Sequence, residues 1–149
     1  MFKFNVRVYG LLINAHQEIL ISDEEVANFQ FSKFPGGGLE FGEGTIEGLK
    51  REFKEECDTE IQVLEHFYTT DFFEKSHFND SQILSIYYKV INLSPLNIFI
   101  KEHAFDFSAN HSSNPQSFRW ISLKNLRTDD VTFKTDKRVV EELINSYQR

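Results

Sequence analysis

The segment Pro35-Gly36-Gly37-Gly38 constrains the fold more than any other feature, because it separates strand-like residues from a helix rich in carboxylates. Glycine lets the backbone approach another group closely, where any Cβ would crowd the contact. After the glycines, residues 45–57 have the spacing of an amphipathic helix, with Thr45 as the expected N-cap. The pattern therefore predicts a strand, a glycine loop and a helix in succession.

Apolar and β-branched runs on both sides of this segment predict the strands of a sheet. The predicted strands are residues 2–13, 18–22, 29–34, 61–73, 83–93 and 118–123, with a further short strand near 98–100. A second amphipathic helix is predicted from Asp136 to Tyr147. Strands before, between and after two helices indicate an α/β (α+β) fold, in which a mixed β-sheet is sandwiched between α-helices.

Length, charge and cysteine content exclude several classes of protein. A chain of 149 residues suits one domain spanning residues 1–149. Lys and Arg number 16 against 23 Asp and Glu, a net charge of −7, which disfavours a nucleic-acid partner. The single cysteine, Cys57, excludes an internal disulfide and is expected to be buried. No run resembles a signal peptide or a membrane span, so we expect a cytoplasmic protein without a membrane partner.

Three glutamates of the first helix fall on one arc of its surface. Glu52, Glu55 and Glu56 are spaced at i, i+3 and i+4, beside the apolar stripe of Ile46, Leu49, Phe53 and Cys57. Like charges at this spacing repel, and carboxylates are unfavourable near a helix C-terminus. Hard divalent cations prefer carboxylate oxygens. The cluster therefore favours a metal site over its alternative, a solvated acidic face.

The residues around this cluster match a known motif. Gly37-x5-Glu43-x7-Arg51-Glu52-Phe53-x-Glu55-Glu56 resembles the Nudix box of the MutT-like Nudix hydrolases, G-x5-E-x7-R-E-U-x-E-E-x-G-U, where U is apolar. Two positions between Gly37 and Thr59 depart from the motif, because Asp58 replaces the second glycine and Thr59 replaces the last apolar residue. Asp tolerates the left-handed conformation better than most residues, so we expect Asp58 to end the helix. Ile61 is then expected to supply the buried side chain.

The resemblance implies the ligands of a metal ion. Glu52, Glu55 and Glu56 would hold one or more Mg²⁺ or Mn²⁺ ions, with Glu56 as the central ligand. Glu52 would be a ligand or the base that activates water. A backbone carbonyl near Gly36 or Gly37 would complete the coordination, which places Gly37 among the expected metal-site residues.

The resemblance also implies a supporting ion pair. Arg51 and Glu43 complete the expected catalytic set, and Arg51 would pair with Glu43 to hold the loop against the helix. Glu40 would add an outer contact or remain a surface carboxylate.

The implied reaction is hydrolysis of a nucleoside diphosphate linked to another moiety X, or of a nucleoside triphosphate, to a nucleoside monophosphate and phosphorylated X. The implied partner is thus a small nucleotide derivative, and a homodimer is an open possibility because the family often dimerises. Two alternatives are a non-catalytic nucleotide-derivative sensor, which the complete set of box carboxylates disfavours, and an RNA 5′-end pyrophosphohydrolase. The latter needs a local basic patch in a chain of net charge −7.

Two groups of residues outside the box are further candidates. Many family members take the base from a loop outside the box, and the candidates here are Glu74, Glu102, His103, Asp106 and His111. Candidates for contact with a nucleobase or phosphate are Phe31, Phe34, Phe72, Phe73, Trp120, Arg7, Lys33 and Arg119. For the rings we expect a core role more often than stacking, and for the cations a surface role.

Overall fold

The computed structural model describes residues 3–108 and 112–148. The strands are β1 (Phe4–Leu12), β2 (Glu18–Val26), β3 (Phe29–Lys33), β4 (Gly36–Gly38), β5 (Ile61–Thr69), β6 (Gln82–Asn92) and β7 (Gln116–Ser122). The helices are α1 (Thr45–Cys57), α2 (Lys134–Tyr147) and a short 3₁₀ helix (Thr128–Asp130). In this part of the chain, no helix has both the length and the apolar composition of a membrane span.

The first of two compact units contains the segment that ends at Leu12 and the segment Pro35–Leu96. Its four-stranded sheet has the order β4-β1-β6-β5, with β1 and β6 parallel and the other pairs antiparallel. Helix α1 packs on β1 at Gly10, where an added Cβ would lie 2.4 Å from the Phe53 ring. Close packing without a side chain at residue 10 therefore fixes the helix above the sheet.

The second compact unit contains residues 13–34 and 97–149. Its sheet has the order β3-β2-β7, and both pairings are antiparallel. Helix α2 buries Val139, Val140 and Leu143. The mixed α+β class expected from the sequence is confirmed, although the strand pattern did not separate the two sheets. The expectation of one domain stays a prediction.

Several predicted boundaries were wrong. The glycine segment is not a loop, because Gly36–Gly38 forms β4 and pairs with Tyr9, Val8 and Arg7 of β1. The N-cap of α1 is Gly44, and Thr45 is the first helical residue. Its hydroxyl instead lies 2.7 Å from the Tyr88 hydroxyl. The short strand expected near residues 98–100 is an isolated parallel bridge between Ile100 and Phe118.

Other strands differ in length from the prediction. Strand β2 continues beyond Ser22 to Val26, and β5 ends at Thr69 rather than Phe73. Helix α2 begins two residues before Asp136. Residue 2, where the first strand was expected to begin, lies outside the described residues.

The end of α1 agrees with the sequence argument. Asp58 is left-handed at φ 47° and ψ 42°, as its place in the motif predicts. Cys57 and Ile61 are buried as expected. Thr59 is buried outside β5, and its hydroxyl donates to the Ser94 carbonyl at 2.9 Å. Ile46, expected in the apolar stripe, is 44 % exposed. The buried stripe therefore consists of Leu49, Phe53 and Cys57.

Candidate active site

Two of the predicted carboxylates lie against the glycine strand β4. An added Cβ on Gly37 would lie 2.7 Å from the carboxylate atoms of Glu52, so only glycine leaves that carboxylate its present position. The backbone N–H of Gly36 donates to Glu56 Oε2 at 3.1 Å. The first unit therefore brings Glu52 and Glu56 from the helix to one short stretch of backbone.

Arg51 holds the loop, the strand and the helix together. Its Nη2 donates to Glu43 Oε1 at 2.6 Å and to the Gly38 carbonyl at 2.9 Å, while Nε donates to Glu43 Oε2 at 3.0 Å. The predicted ion pair with Glu43 is present, and its fork geometry is the bidentate one that arginine favours. Glu40 Oε1 lies 3.5 Å from Nη1 and so joins the same group.

Glu43 is fixed by several donors at once. Besides Arg51, the Glu40 N–H donates to Glu43 Oε1 at 2.8 Å. These hydrogen bonds, above all those from Arg51, lower the pKa of Glu43 from 4.5 to about 2. Gly48 leaves room for the carboxylate, since a Cβ there would lie 2.8 Å from Glu43 Oε1. The raised pKa of Arg51 has the same cause, so this pair stays charged at neutral pH.

The repulsion expected within the glutamate cluster is relieved by Arg51. Its Nη1 donates to Glu52 Oε1 at 3.0 Å and to Glu55 Oε2 at 3.2 Å. Glu55 is the outermost member, with its side chain 57 % exposed. From the sequence we expected Arg51 to pair only with Glu43, although the i,i+4 spacing of Arg51 and Glu55 already indicated this further contact.

The carboxylates of this site are of the chemical type that binds a divalent cation. In the arrangement described, however, their side chains are not all placed to do so. Within residues 3–108 and 112–148, no group of three or more His, Cys, Asp or Glu side chains is placed to hold a metal ion. Arg51 engages both Glu52 and Glu55 in this arrangement. The oxygens of Glu52 and Glu56 nevertheless lie beside a backbone without side chains, and carboxylate oxygen is the ligand that Mg²⁺ prefers. The residues present therefore fit such an ion chemically.

Comparison with known families agrees with this geometry. The model of the NUDIX domain matches residues 3–143. The chain belongs to the Nudix family. It is accordingly a Nudix-type hydrolase, an enzyme that acts on phosphoric anhydride bonds. A search of curated proteins gave no match.

Solved structures show the same Nudix fold at low sequence identity. The E. coli ORF135 protein has a TM-score of 0.73 and 18 % identity, covering 99 % of this chain and 94 % of its own. The MutT protein of Methanosarcina mazei Go1 has a TM-score of 0.73 and 16 % identity, with coverages of 99 % and 98 %. A UDP-X diphosphatase has a TM-score of 0.60 and 12 % identity, with coverages of 99 % and 64 %.

The candidate bases outside the Nudix box belong to different units. Glu74 is buried in the first unit, whereas Glu102, His103 and Asp106 belong to the second unit. Hydrogen bonds from Ser108 lower the pKa of Asp106. His111 lies outside the described residues. The role of a base therefore stays a prediction for each of these side chains.

The candidate rings and cations differ in burial, and four of them, Arg7, Phe72, Arg119 and Trp120, are half-buried. Phe31 and Phe34 are buried, as the core expectation for them predicted, whereas Phe73 is 67 % exposed. Lys33 is also buried, with its Nζ 3.0 Å from Glu24 Oε2. Its expected surface role was wrong, because a carboxylate partner within the second unit compensates for the burial of its charge.

The sequence led us to expect a backbone carbonyl near Gly36 or Gly37 at the metal, but not the hydrogen bonds that the backbone makes to the side chains of α1. The Gly36 N–H and the Gly38 carbonyl contact Glu56 and Arg51, respectively. The run of glycines was the only signal of such close contacts. The pattern did not reveal that strand pairing with β1 would aim these atoms at the helix.

Proposed function

We propose that this Nudix protein is a Mg²⁺-dependent pyrophosphohydrolase, with Mn²⁺ as an alternative ion, that cleaves a nucleoside diphosphate linked to X, or a nucleoside triphosphate. The products are a nucleoside monophosphate and phosphorylated X. The observation that carries the proposal is the placement of Glu52 and Glu56 against β4. The UDP-X diphosphatase with the same fold supports this substrate class.

The proposed reaction consumes one water molecule. The water oxygen forms a new bond to phosphorus, the bridging P–O bond breaks, and a carboxylate accepts the proton. When bound, the metal ion neutralises the diphosphate and lowers the pKa of water. Glu55 and Glu56 would hold it, and Glu52 would either join them as a ligand or accept the proton.

Residues of the protein hold the loop and the strand of the site in fixed positions. Arg51 fixes Glu43 and the Gly38 carbonyl, so the loop and the strand keep their positions beside the helix. Glycine at 37 lets the Glu52 carboxylate lie against the backbone of β4, and preorganised dipoles stabilise charge that develops at phosphorus. Arg51 and Glu43 thus act as positioning residues.

Removing one carboxylate tests the proposal. We predict that Glu56→Gln lowers Mg²⁺-dependent hydrolysis at least about 100-fold, the range seen when one electrostatic group of a catalytic site is lost. The panel would contain nucleoside triphosphates, ADP-ribose, nucleotide sugars, dinucleoside polyphosphates and triphosphorylated RNA, with EDTA as the metal-free control. Circular dichroism would check that the fold is retained.

Glu65→Gln provides a matched control, because Glu65 is an exposed carboxylate of β5 whose Oε1 lies 3.5 Å from Lys89. It should retain activity. Undiminished hydrolysis in Glu56→Gln would contradict the proposed metal ligand. Nucleotide binding without turnover across the whole panel would instead favour a sensor, and turnover confined to triphosphorylated RNA would favour the RNA 5′-end activity.

A further inference from the structure

A cavity of the first unit lies outside the Nudix box. It has a volume of about 470 Å³ and is lined by residues from the start of β1, the start of β6 and the turn before β6. Small-ligand pockets usually measure about 300–1,000 Å³. The cavity is thus large enough for a ligand of the size of a mononucleotide.

Backbone hydrogen bonds fix the walls of this cavity. Gln82 donates its N–H to the Lys3 carbonyl at 2.9 Å, and it also forms a bridge with Lys75. The Ser76 N–H donates to the Ser81 carbonyl at 2.9 Å, which closes the turn. The surface is therefore shaped before any ligand arrives.

Two phenylalanines expose their rings to the cavity. Phe4 is 66 % exposed and Phe73 is 67 % exposed, and both line it. Single exposed apolar residues are common on protein surfaces, but two exposed rings in one cavity form a platform on which a flat ligand can stack. Nucleobases are such ligands, and stacking on aromatic rings recognises any of them.

The charge beside the rings favours an anion. Lys3 and Lys75 line the cavity together with Asp80, so the local balance is positive in a chain of net charge −7. Lys75 Nζ lies 3.3 Å from Asp80 Oδ1, but the two side chains are 60 % and 101 % exposed. A solvated pair of this kind is weak, so it can exchange its partner for a phosphate.

We propose that this cavity binds a mononucleotide, with the base against the rings of Phe4 and Phe73 and the phosphate near Lys3 and Lys75. The site is distinct from the carboxylates of α1 and depends neither on their metal nor on hydrolysis. Its ligand class is a nucleobase joined to a phosphate, because neither the rings nor the lysines alone account for both halves of the cavity.

Binding of AMP to the full chain in EDTA tests the proposal, since EDTA silences any metal-dependent site. Calorimetry should show AMP binding that Phe4→Ala and Phe73→Ala each weaken about tenfold, a typical loss for one stacking ring. Phe4→Tyr, which keeps an aromatic ring, should bind AMP as tightly as the wild type does. Phe78→Ala is the matched control, because Phe78 is 53 % exposed in the same turn but does not line the cavity.

Two further probes separate the halves of the ligand. Lys75→Gln should weaken AMP binding but leave adenosine binding unchanged, whereas Lys54→Gln, an exposed lysine of α1, should change neither. Ribose 5-phosphate, which lacks the base, should bind at least tenfold more weakly than AMP. Phe73 lies outside every strand, so Phe73→Ala remains informative if Phe4→Ala lowers stability.

Several results would overturn the proposal. They are absence of AMP binding in EDTA, an equal loss in Phe78→Ala, and equal binding of ribose 5-phosphate. A concentration-dependent dimer that Phe73→Ala dissociates would also overturn it, because a second copy of the chain would then be the occupant.

Discussion

Arg51 combines, in one side chain, contacts that a lysine could not make together. Its three nitrogens donate to Glu43, Glu52, Glu55 and the Gly38 carbonyl. A planar guanidinium serves several acceptors in fixed directions, whereas an ammonium is a compact point charge. The residue therefore both orders the backbone of β4 and neutralises neighbouring carboxylates.

We predict that Arg51→Gln lowers the free energy of unfolding by about 1–2 kcal/mol, the lower part of the range for hydrogen bonds to charged groups, because the site is partly solvated. The free energy of unfolding of Arg51→Lys should lie between those of Arg51→Gln and the wild type. Urea unfolding monitored by circular dichroism measures both. Lys54→Gln is the control, since its pair with Asp58 is exposed and should contribute little. Equal stability of Arg51→Gln and wild type would contradict the bridging role.

Glu43 should make the free energy of unfolding depend on pH in the acid range. Its pKa in the folded protein is about 2, against a reference pKa of 4.5. Its contribution to the free energy of unfolding is therefore fully present when the pH is above 4.5. The contribution is lost as pH falls from about 4.5 to about 2, because the unfolded chain binds the proton first. We predict that Glu43→Gln flattens the pH dependence of unfolding in that window.

The difference in unfolding free energy between wild type and Glu43→Gln, measured from pH 6 to pH 2, tests this expectation. Glu47→Gln removes an equal charge from the same region and serves as the control. If Glu43→Gln and Glu47→Gln gave the same slope, the hydrogen bonds from Arg51 would not be what lowers this pKa.

At the scale of elements, α1 could be predicted and β4 could not. The apolar period and the box residues define a helix that ends at Cys57 in both the sequence argument and the structure. Three glycines carry no strand periodicity, so β4 exists only through its pairing with β1. The N-cap was misplaced for a similar reason, because the Thr45 hydroxyl meets Tyr88 of β6 instead of the helix backbone.

The end of α1 offers a prediction about backbone conformation. Asp58 adopts φ 47°, where glycine has no steric penalty. We predict that Asp58→Gly raises the free energy of unfolding by up to about 1 kcal/mol and that Asp58→Ala lowers it by a similar amount. Urea denaturation of the wild type, Asp58→Gly and Asp58→Ala measures the order of their stabilities. A variant Asp58→Ala as stable as Asp58→Gly would show that conformation does not decide stability here.

At the scale of the whole molecule, the sequence predicted which side chains lie near Arg51 and β4 better than it predicted the architecture. Glu40, Glu43, Glu52, Glu55 and Glu56 are close in sequence, so the helical period and a loop bring them together. The division into two units depends on contacts between distant segments. Residues 13–34 belong with residues 97–149, and no local pattern encodes that association.

The interleaving of the two units predicts one cooperative unfolding transition. Each unit consists of two segments separated in sequence, so neither forms from a continuous piece of chain. Trp120 reports on the second unit by fluorescence, whereas Leu49 is buried in α1 of the first unit. We predict that Leu49→Ala, which should cost about 2–5 kcal/mol, shifts the Trp120 midpoint as far as the circular dichroism midpoint. Val139→Ala, in α2, is the reciprocal control and should shift both signals together. An unmoved Trp120 transition in Leu49→Ala would mean that the units unfold independently and would contradict the single domain expected for residues 1–149.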